Sequence, residues 1–319
     1  MKKRDFLARG AAAAGACALM PAWLLALPGA AQAQSPLQVE LDDLSGRFLR
    51  FHQAAQMTAA DAARRVALWR EFKVPTVVPL DDAALGERLD RAYERYAAVL
   101  PQIEKGYAGI SPPPSDMLGR MFGLLKMPQL GPIKMTFLAY VGFFDRPAEV
   151  LQREAELTLA LPLEQPAARQ GVQAALALAR HLAGKAGIDP ANARSVAERI
   201  YLEGLLLNLV AVGLPKLGED DIADAYVGED GWFAKLQARQ GEIFRAIRPL
   251  LADTKPASIE RVGAQGNGPA GFKAEAAYIG FFAVSRWLGR SLTYTELLRT
   301  PPAEMPKNLI AVMDSFGRR

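Results

Sequence analysis

Ile133-Lys-Met-Thr-Phe-Leu-Ala-Tyr-Val-Gly-Phe-Phe144 decides the fold class, because it is the strongest strand candidate in a chain whose remaining pattern is largely helical. The stretch is aromatic and partly β-branched, and Asp145-Arg-Pro147 closes it. Glu156-Leu-Thr-Leu-Ala-Leu-Pro-Leu163 alternates polar and apolar residues at its start and can pair with it. Before this pair, Leu37, Leu41, Leu44, Phe48 and Phe51 fall at three- and four-residue spacings, which predicts helix over 34–72. Thr58 reads as the cap of a second helix running through Trp69. Lys73 to Pro79 breaks the pattern, and a long helix follows from Asp81 to Leu100 with Leu85, Leu89, Ala92, Tyr93 and Tyr96 on one side. Ser111-Pro-Pro-Pro-Ser115 is a stiff connector before a short helix over Asp116 to Lys126.

Beyond the strand pair, helices are predicted over 167–186, from Asp189-Pro190 through Leu214, over 233–251 and over 274–288, with a final pair after Thr293 and Pro302. Residues 216–231 read as an acidic irregular loop and 263–271 as a flexible, turn-rich segment. The expectation is an α+β, mostly helical fold on a small sheet, without an internal repeat.

The first thirty-three residues read as an export signal. A basic start precedes a low-charge apolar run from Ala11 to Leu27, and Ala31-Gln-Ala33 offers the small-x-small site, with cleavage between Ala33 and Gln34. Lys3-Arg-Asp-Phe-Leu7 looks like the twin-arginine pattern with lysine in the first arginine position, which leaves the general secretory route as the alternative. The apolar run is short and alanine-rich for a bilayer span. Ala14-Gly-Ala-Cys17 resembles a lipoprotein box faintly, without its leucine. The expected mature chain, 34–319, is a single periplasmic domain with no stable membrane span.

Removing the signal changes the charge argument. Lys2, Lys3, Arg4 and Arg9 less Asp5 carry three of the four net positive charges, so the mature chain is nearly neutral. That removes a nucleic-acid footprint. Cys17, the single cysteine, leaves with the signal, so no disulfide or cysteine metal site remains. Stability must come from a core, which about 286 residues can supply.

Most chemistries lack their residues. The chain has two histidines, His52 and His181, and no Gly-x-Ser-x-Gly elbow to go with either. There is no Gly-x-x-x-x-Gly-Lys phosphate loop. Gly266-Asn-Gly-Pro-Ala-Gly271 fits a loose Gly-x-Gly-x-x-Gly, but no strong strand precedes it and proline replaces a needed N–H donor. No cofactor is expected.

Residues 133–204 resemble the zincin-like zinc-dependent peptidases related to the gliding-motility lipoproteins. In that family a hydrophobic strand and an edge strand precede a helix bearing His-Glu-x-x-His, and a second helix supplies a glutamate, usually as Glu-Gly. Here 133–144 and 156–163 precede the helix Gln170–His181, and Glu203-Gly204 lies in the next helix. Ala277-Tyr-Ile-Gly-Phe-Phe-Ala-Val284 and Thr293-Tyr-Thr-Glu-Leu-Leu298 resemble the closing helices, so the likeness covers about residues 80–319. The motif itself is missing. Ala174 and Ala175 stand where the first histidine and the glutamate belong, and Leu178 replaces the second histidine. A catalytic zinc needs two imidazoles a turn apart and a carboxylate beside them. The resemblance therefore implies a degenerate member, with His181 and Glu203 as weak metal candidates only.

The remaining candidates each have a plain reading. His181 reads as a helix-end cap. Glu203 is exposed, or held by Arg199 or Arg286, or, if buried and unpaired, an acid or base. Tyr278 and Tyr140 are cleft liners or core aromatics. Leu205–Leu214 crosses the core or lines a lipid or partner groove. Glu219-Asp-Asp221 with Asp224, Glu229 and Asp230 is a solvated loop or, off pattern, a calcium site. The reading is a non-catalytic envelope protein that binds a peptide, a small ligand or another envelope protein between the 170–181 and 197–214 helices. The alternatives are a hydrolase with an unfamiliar site around Glu203 and Tyr278, and an interaction protein without a pocket.

Overall fold

Strand Ile133–Tyr140 (β2) sits inside a four-stranded mixed sheet with Leu37–Asp43 (β1), Glu149–Arg153 (β3) and Glu156–Pro162 (β4), in the order β1-β2-β4-β3. The structure, a computed structural model, describes residues 37–126, 133–153, 156–263, 266–290 and 292–316, all within one unit spanning 36–319. The expected export signal, its Ala33–Gln34 cut and Cys17 lie outside them.

β1 and β4 both run parallel to β2, with Leu37 opposite Ile133 and Met135 opposite Leu157. β3 is antiparallel to β4 and forms the far edge. A parallel neighbour requires a crossover. Between β1 and β2 it consists of helices Ser45–Met57 (α1), Ala62–Glu71 (α2), Asp82–Ile103 (α3) and Pro114–Leu125 (α4). Ala167–Lys185 (α5) and Val196–Gly213 (α6) follow the sheet. Then come Glu219–Val227 (α7), Trp232–Ala238 (α8), Gln240–Ile247 (α9), Pro256–Val262 (α10), Glu275–Leu288 (α11), Tyr294–Leu298 (α12) and Met305–Asp314 (α13). The fold is α+β and mostly helical, as the sequence leads one to expect. Among the described residues no helix is long and apolar enough to cross a membrane.

Several boundaries differ from the sequence reading. Residues 37–43 form a strand, not the start of a helix; every residue but the first is exposed, so no buried stripe dictates its state and pairing with β2 does. Thr58 ends α1, its hydroxyl donating to the Ala54 carbonyl, and Asp61 caps α2 by accepting the Arg64 N–H. Strand 156–162 is interior, because the short β3 takes the edge. The acidic stretch 219–227 is helical: three carboxylates in its first turn favour the positive helix end, and Asp221 accepts the Gly218 N–H. Asp189-Pro190 opens only a 3-10 turn, and Ser195 caps α6. The expected 233–251 helix is divided near Arg239 into α8 and α9.

Two centres make up the core. Phe48, Phe51, Trp69 and Tyr96 form an aromatic cluster beside the sheet, with Phe48 and Tyr96 ring centres 4.7 Å apart and Phe51 and Trp69 5.0 Å apart. The second centre is α6, buried on nearly all sides, as an all-round apolar helix must be. Leu205–Val210 is core; it lines no groove. α6 crosses α11 where Gly204 meets Gly280. A Cβ on Gly280 would fall 1.9 Å from the Ile200 carbonyl oxygen, and one on Gly204 2.2 Å from that of Gly280. Asn208 fastens the same crossing, donating to the Gly204 and Phe281 carbonyls and accepting from Ser285.

Candidate functional site

Glu203 is placed by the crossing it neighbours: Gly204 brings α6 against α11, and the preceding carboxylate ends fully buried. One helical turn earlier, Arg199 reaches it. Arg199 Nε donates to Glu203 Oε1 at 2.9 Å and Nη2 approaches the same oxygen at 2.8 Å. The Tyr226 hydroxyl, from the end of α7, donates to Oε2. Both carboxylate oxygens are therefore occupied. Burial, and then the Glu203 charge, raise the proton affinity of Tyr226, which keeps it the donor. The Arg180 guanidinium carbon lies 5.8 Å from the centre of the Tyr226 ring. Arg286, the other arginine that the sequence offers to Glu203, lies over Phe316 at 4.7 Å.

Arg199 is also fixed from outside. Its Nη1 donates to the Pro190 carbonyl at 2.8 Å. Gly263 closes over it so tightly that a Cβ there would stand 2.5 Å from Nη2. Beyond it opens a cavity of about 580 Å3 lined by Arg199, Ala257, Glu260, Arg261 and Gly266. The arrangement is a guanidinium locked on both sides, its side chain only 14% exposed and its countercharge behind it.

The other sequence candidates scatter. Ala174, Ala175 and Leu178 of α5 are all fully buried, so the positions aligned with the zinc motif are core. His181 is half-buried on α5, its Nε2 enclosed without a hydrogen-bond partner among the described residues. The imidazole's pKa is lowered by burial and by Lys185. It caps nothing through Nε2, and the basic residue of the last turn is Lys185. His52 lies far along the chain on α1, between the rings of Phe48 and Tyr93 at 5.8 and 5.7 Å. Among the described residues no three His, Cys, Asp or Glu side chains converge on a metal-sized point.

Tyr278 packs 5.4 Å from Phe233 and 6.3 Å from Trp232, its hydroxyl enclosed with no hydrogen-bond partner among the described residues and its pKa raised by burial. Tyr140 packs with Val77 and Ala160 at the end of β2. In the acidic stretch, Asp224 accepts the Gly231 and Phe233 N–H groups, an ordinary brace for the start of α8.

Of the buried carboxylates that escape sequence reasoning, Glu164 and Glu275 are the two almost fully enclosed. Glu164 follows β4 and turns inward, accepting the Gly142 N–H at 2.9 Å and the Phe144 N–H at 3.2 Å from the loop after β2. It thereby holds Phe144 in a left-handed conformation, φ 63°. Burial, more than those bonds oppose it, pushes the Glu164 carboxyl up to about 7. Glu275 does the same for the glycine-rich loop: Oε1 accepts the Ala270 and Phe272 N–H groups. Those are donors a bound phosphate would need, so the Gly266–Gly271 segment is internally braced. The only signal for either residue is a lone glutamate beside an apolar run; at the carboxyl end of a parallel strand, as for Glu164, that position is worth attention.

No protein-family model, curated protein or solved structure matches this chain.

Proposed function

We propose that this chain is an exported cell-envelope protein that binds or scaffolds without catalysing, built on a degenerate zincin-like peptidase fold. The observation that carries the reading is the state of Glu203. A carboxylate acting as acid or base needs a free oxygen toward substrate; this one gives both oxygens to Arg199 and Tyr226 in the interior. The full burial of Ala174, Ala175 and Leu178 supports the same view, since those positions contribute packing. The resemblance has an edge strand before the first motif helix, whereas here the strand before α5 is the interior β4, so the likeness rests on the sequence positions alone. Binding between α5 and α6 is not retained, because the residues at that contact are core. Ligand groups would instead enter the cavity outside α6, where Arg199 is already paired with Glu203 and the other charged lining residues are Glu260 and Arg261.

The test is Glu203→Gln. As a structural carboxylate, its loss leaves Arg199 without its buried partner and lowers unfolding free energy by about 3 kcal/mol. Mixed peptide substrates stay intact with wild type and variant alike. Turnover by the wild type that vanishes in a Glu203→Gln protein of unchanged melting temperature would overturn the reading and favour the hydrolase.

A further inference from the structure

β1 is an outer strand of the sheet and, among the described residues, pairs with β2 alone. Leu37, Val39 and Leu41 stand opposite Ile133, Met135 and Phe137, and opposed residues of a parallel pair share a face. On β2 those three residues are at most 3% exposed, whereas Val39 is 37% and Leu41 55% exposed. The apolar face of the sheet thus runs one strand further than the helices that cover it. The other face of β1 carries Gln38, Glu40 and Asp42. Glu40 meets Lys134 at 3.1 Å, with both side chains well over half exposed. Asp43 ends the strand, accepting the Ser45 and Tyr107 N–H groups.

Natural sheets usually guard such an edge with charged side chains, proline, a bulge or an overlying element. The described part of β1 is seven residues without proline or bulge, and its guard is the acidic pair Glu40 and Asp42, which selects against acidic and neutral strands but not basic ones. A strand of this kind is a template for strand addition, in which main-chain bonds supply affinity and alternate side chains supply specificity.

We propose that the outer edge of β1 receives an extended segment of another polypeptide as a fifth strand, one whose apolar residues alternate with lysine or arginine. The apolar residues would continue the face of Val39 and Leu41, and the basic residues would lie beside Glu40 and Asp42. Charge decides against a second copy of this chain. Any pairing of two β1 strands that aligns their apolar faces sets Glu40 and Asp42 of both on one side, where like charges repel. The proposal rests on the binding reading above and names its partner.

The experiment uses the mature chain with fluorescein-labelled Lys-Val-Lys-Val-Lys-Val-Lys, and Glu-Val-Glu-Val-Glu-Val-Glu as control. The basic peptide is expected to raise anisotropy saturably and to slow amide exchange within residues 37–43. The Glu40→Lys/Asp42→Lys double variant, altered only at exposed positions, should bind it about tenfold more weakly and prefer the acidic peptide. Failure to bind, equal binding by the double variant, or protection confined to other segments would each overturn the proposal. So would concentration-dependent dimers with the same 37–43 protection and no peptide. Mass spectrometry of the same samples reports cleavage separately: cut peptide bears on the non-catalytic reading, binding at β1 on this one.

Discussion

Glu164 shows what a single buried carboxyl does to the whole chain. Enclosed behind β4 and bonded to two loop N–H groups, it resists ionisation, its pKa lifted from 4.5 to about 7. A carboxyl raised on folding stabilises the protein while protonated, so its contribution is complete below about pH 4.5 and is lost as pH rises through about 7. That is about 3 kcal/mol, to order of magnitude. Glu275, also raised by burial, acts in the same direction. His52 and His181, lowered by burial, act in the opposite one, adding stability above their ordinary 6.5. Comparing wild type with Glu164→Gln cancels those shared terms. Between pH 5 and 8 the urea midpoint of the wild type should fall relative to the variant, and parallel pH profiles would refute the assignment. None of this is legible in Leu163-Glu-Gln165, because both partners of Glu164 are backbone groups without a side-chain signature. Arg199 is legible as a partner for Glu203, since residues four apart share a helix face. Tyr226 is not, because its acidic helix reads as a loop.

At the level of elements, the α6–α11 crossing is the most constrained contact. Gly280 and Gly204 touch backbone to backbone, so Gly280→Ala must push the helices apart and should cost about 3 kcal/mol, at the upper end for overpacking. Gly123 in α4 has nothing within 4 Å of the point where a methyl group would stand, so Gly123→Ala should instead stabilise by about 0.5–1 kcal/mol. Guanidinium denaturation of both variants checks the pair; equal losses would mean helix propensity is not deciding the outcome. Glu203-Gly204 thus stands out in the sequence for a packing reason: the glycine permits the crossing. Helices with a clean apolar stripe, such as α3 with Leu85, Leu89, Ala92 and Tyr96 buried, are readable within a few residues. β1 and α7 are not. The former buries almost nothing, and the latter hides its few core residues, Ile222, Ala223 and Val227, among carboxylates.

Across the whole molecule, one continuous apolar core runs from Phe48 to Met313 and joins the sheet to both helical centres. If a structural zinc belonged to this fold, metal at a hundred times its dissociation constant would add about 2.7 kcal/mol of stability. Thermal melts in excess zinc and in chelator should coincide, and a rise of several degrees with zinc would overturn the degenerate-site reading. The α+β class is legible because one stretch, 133–144, breaks helical texture; strand order is not, because it depends on partners far apart in sequence. Leu37 meets Ile133 only after four helices have been made. On the ribosome, the nascent β1 must therefore wait for β2, and Met135 and Phe137 emerge before α5 to α13 have been made. Such late closure is slow and leaves sticky intermediates, so this chain's yield in a cell should respond to translation speed and chaperone supply more than its finished stability would suggest.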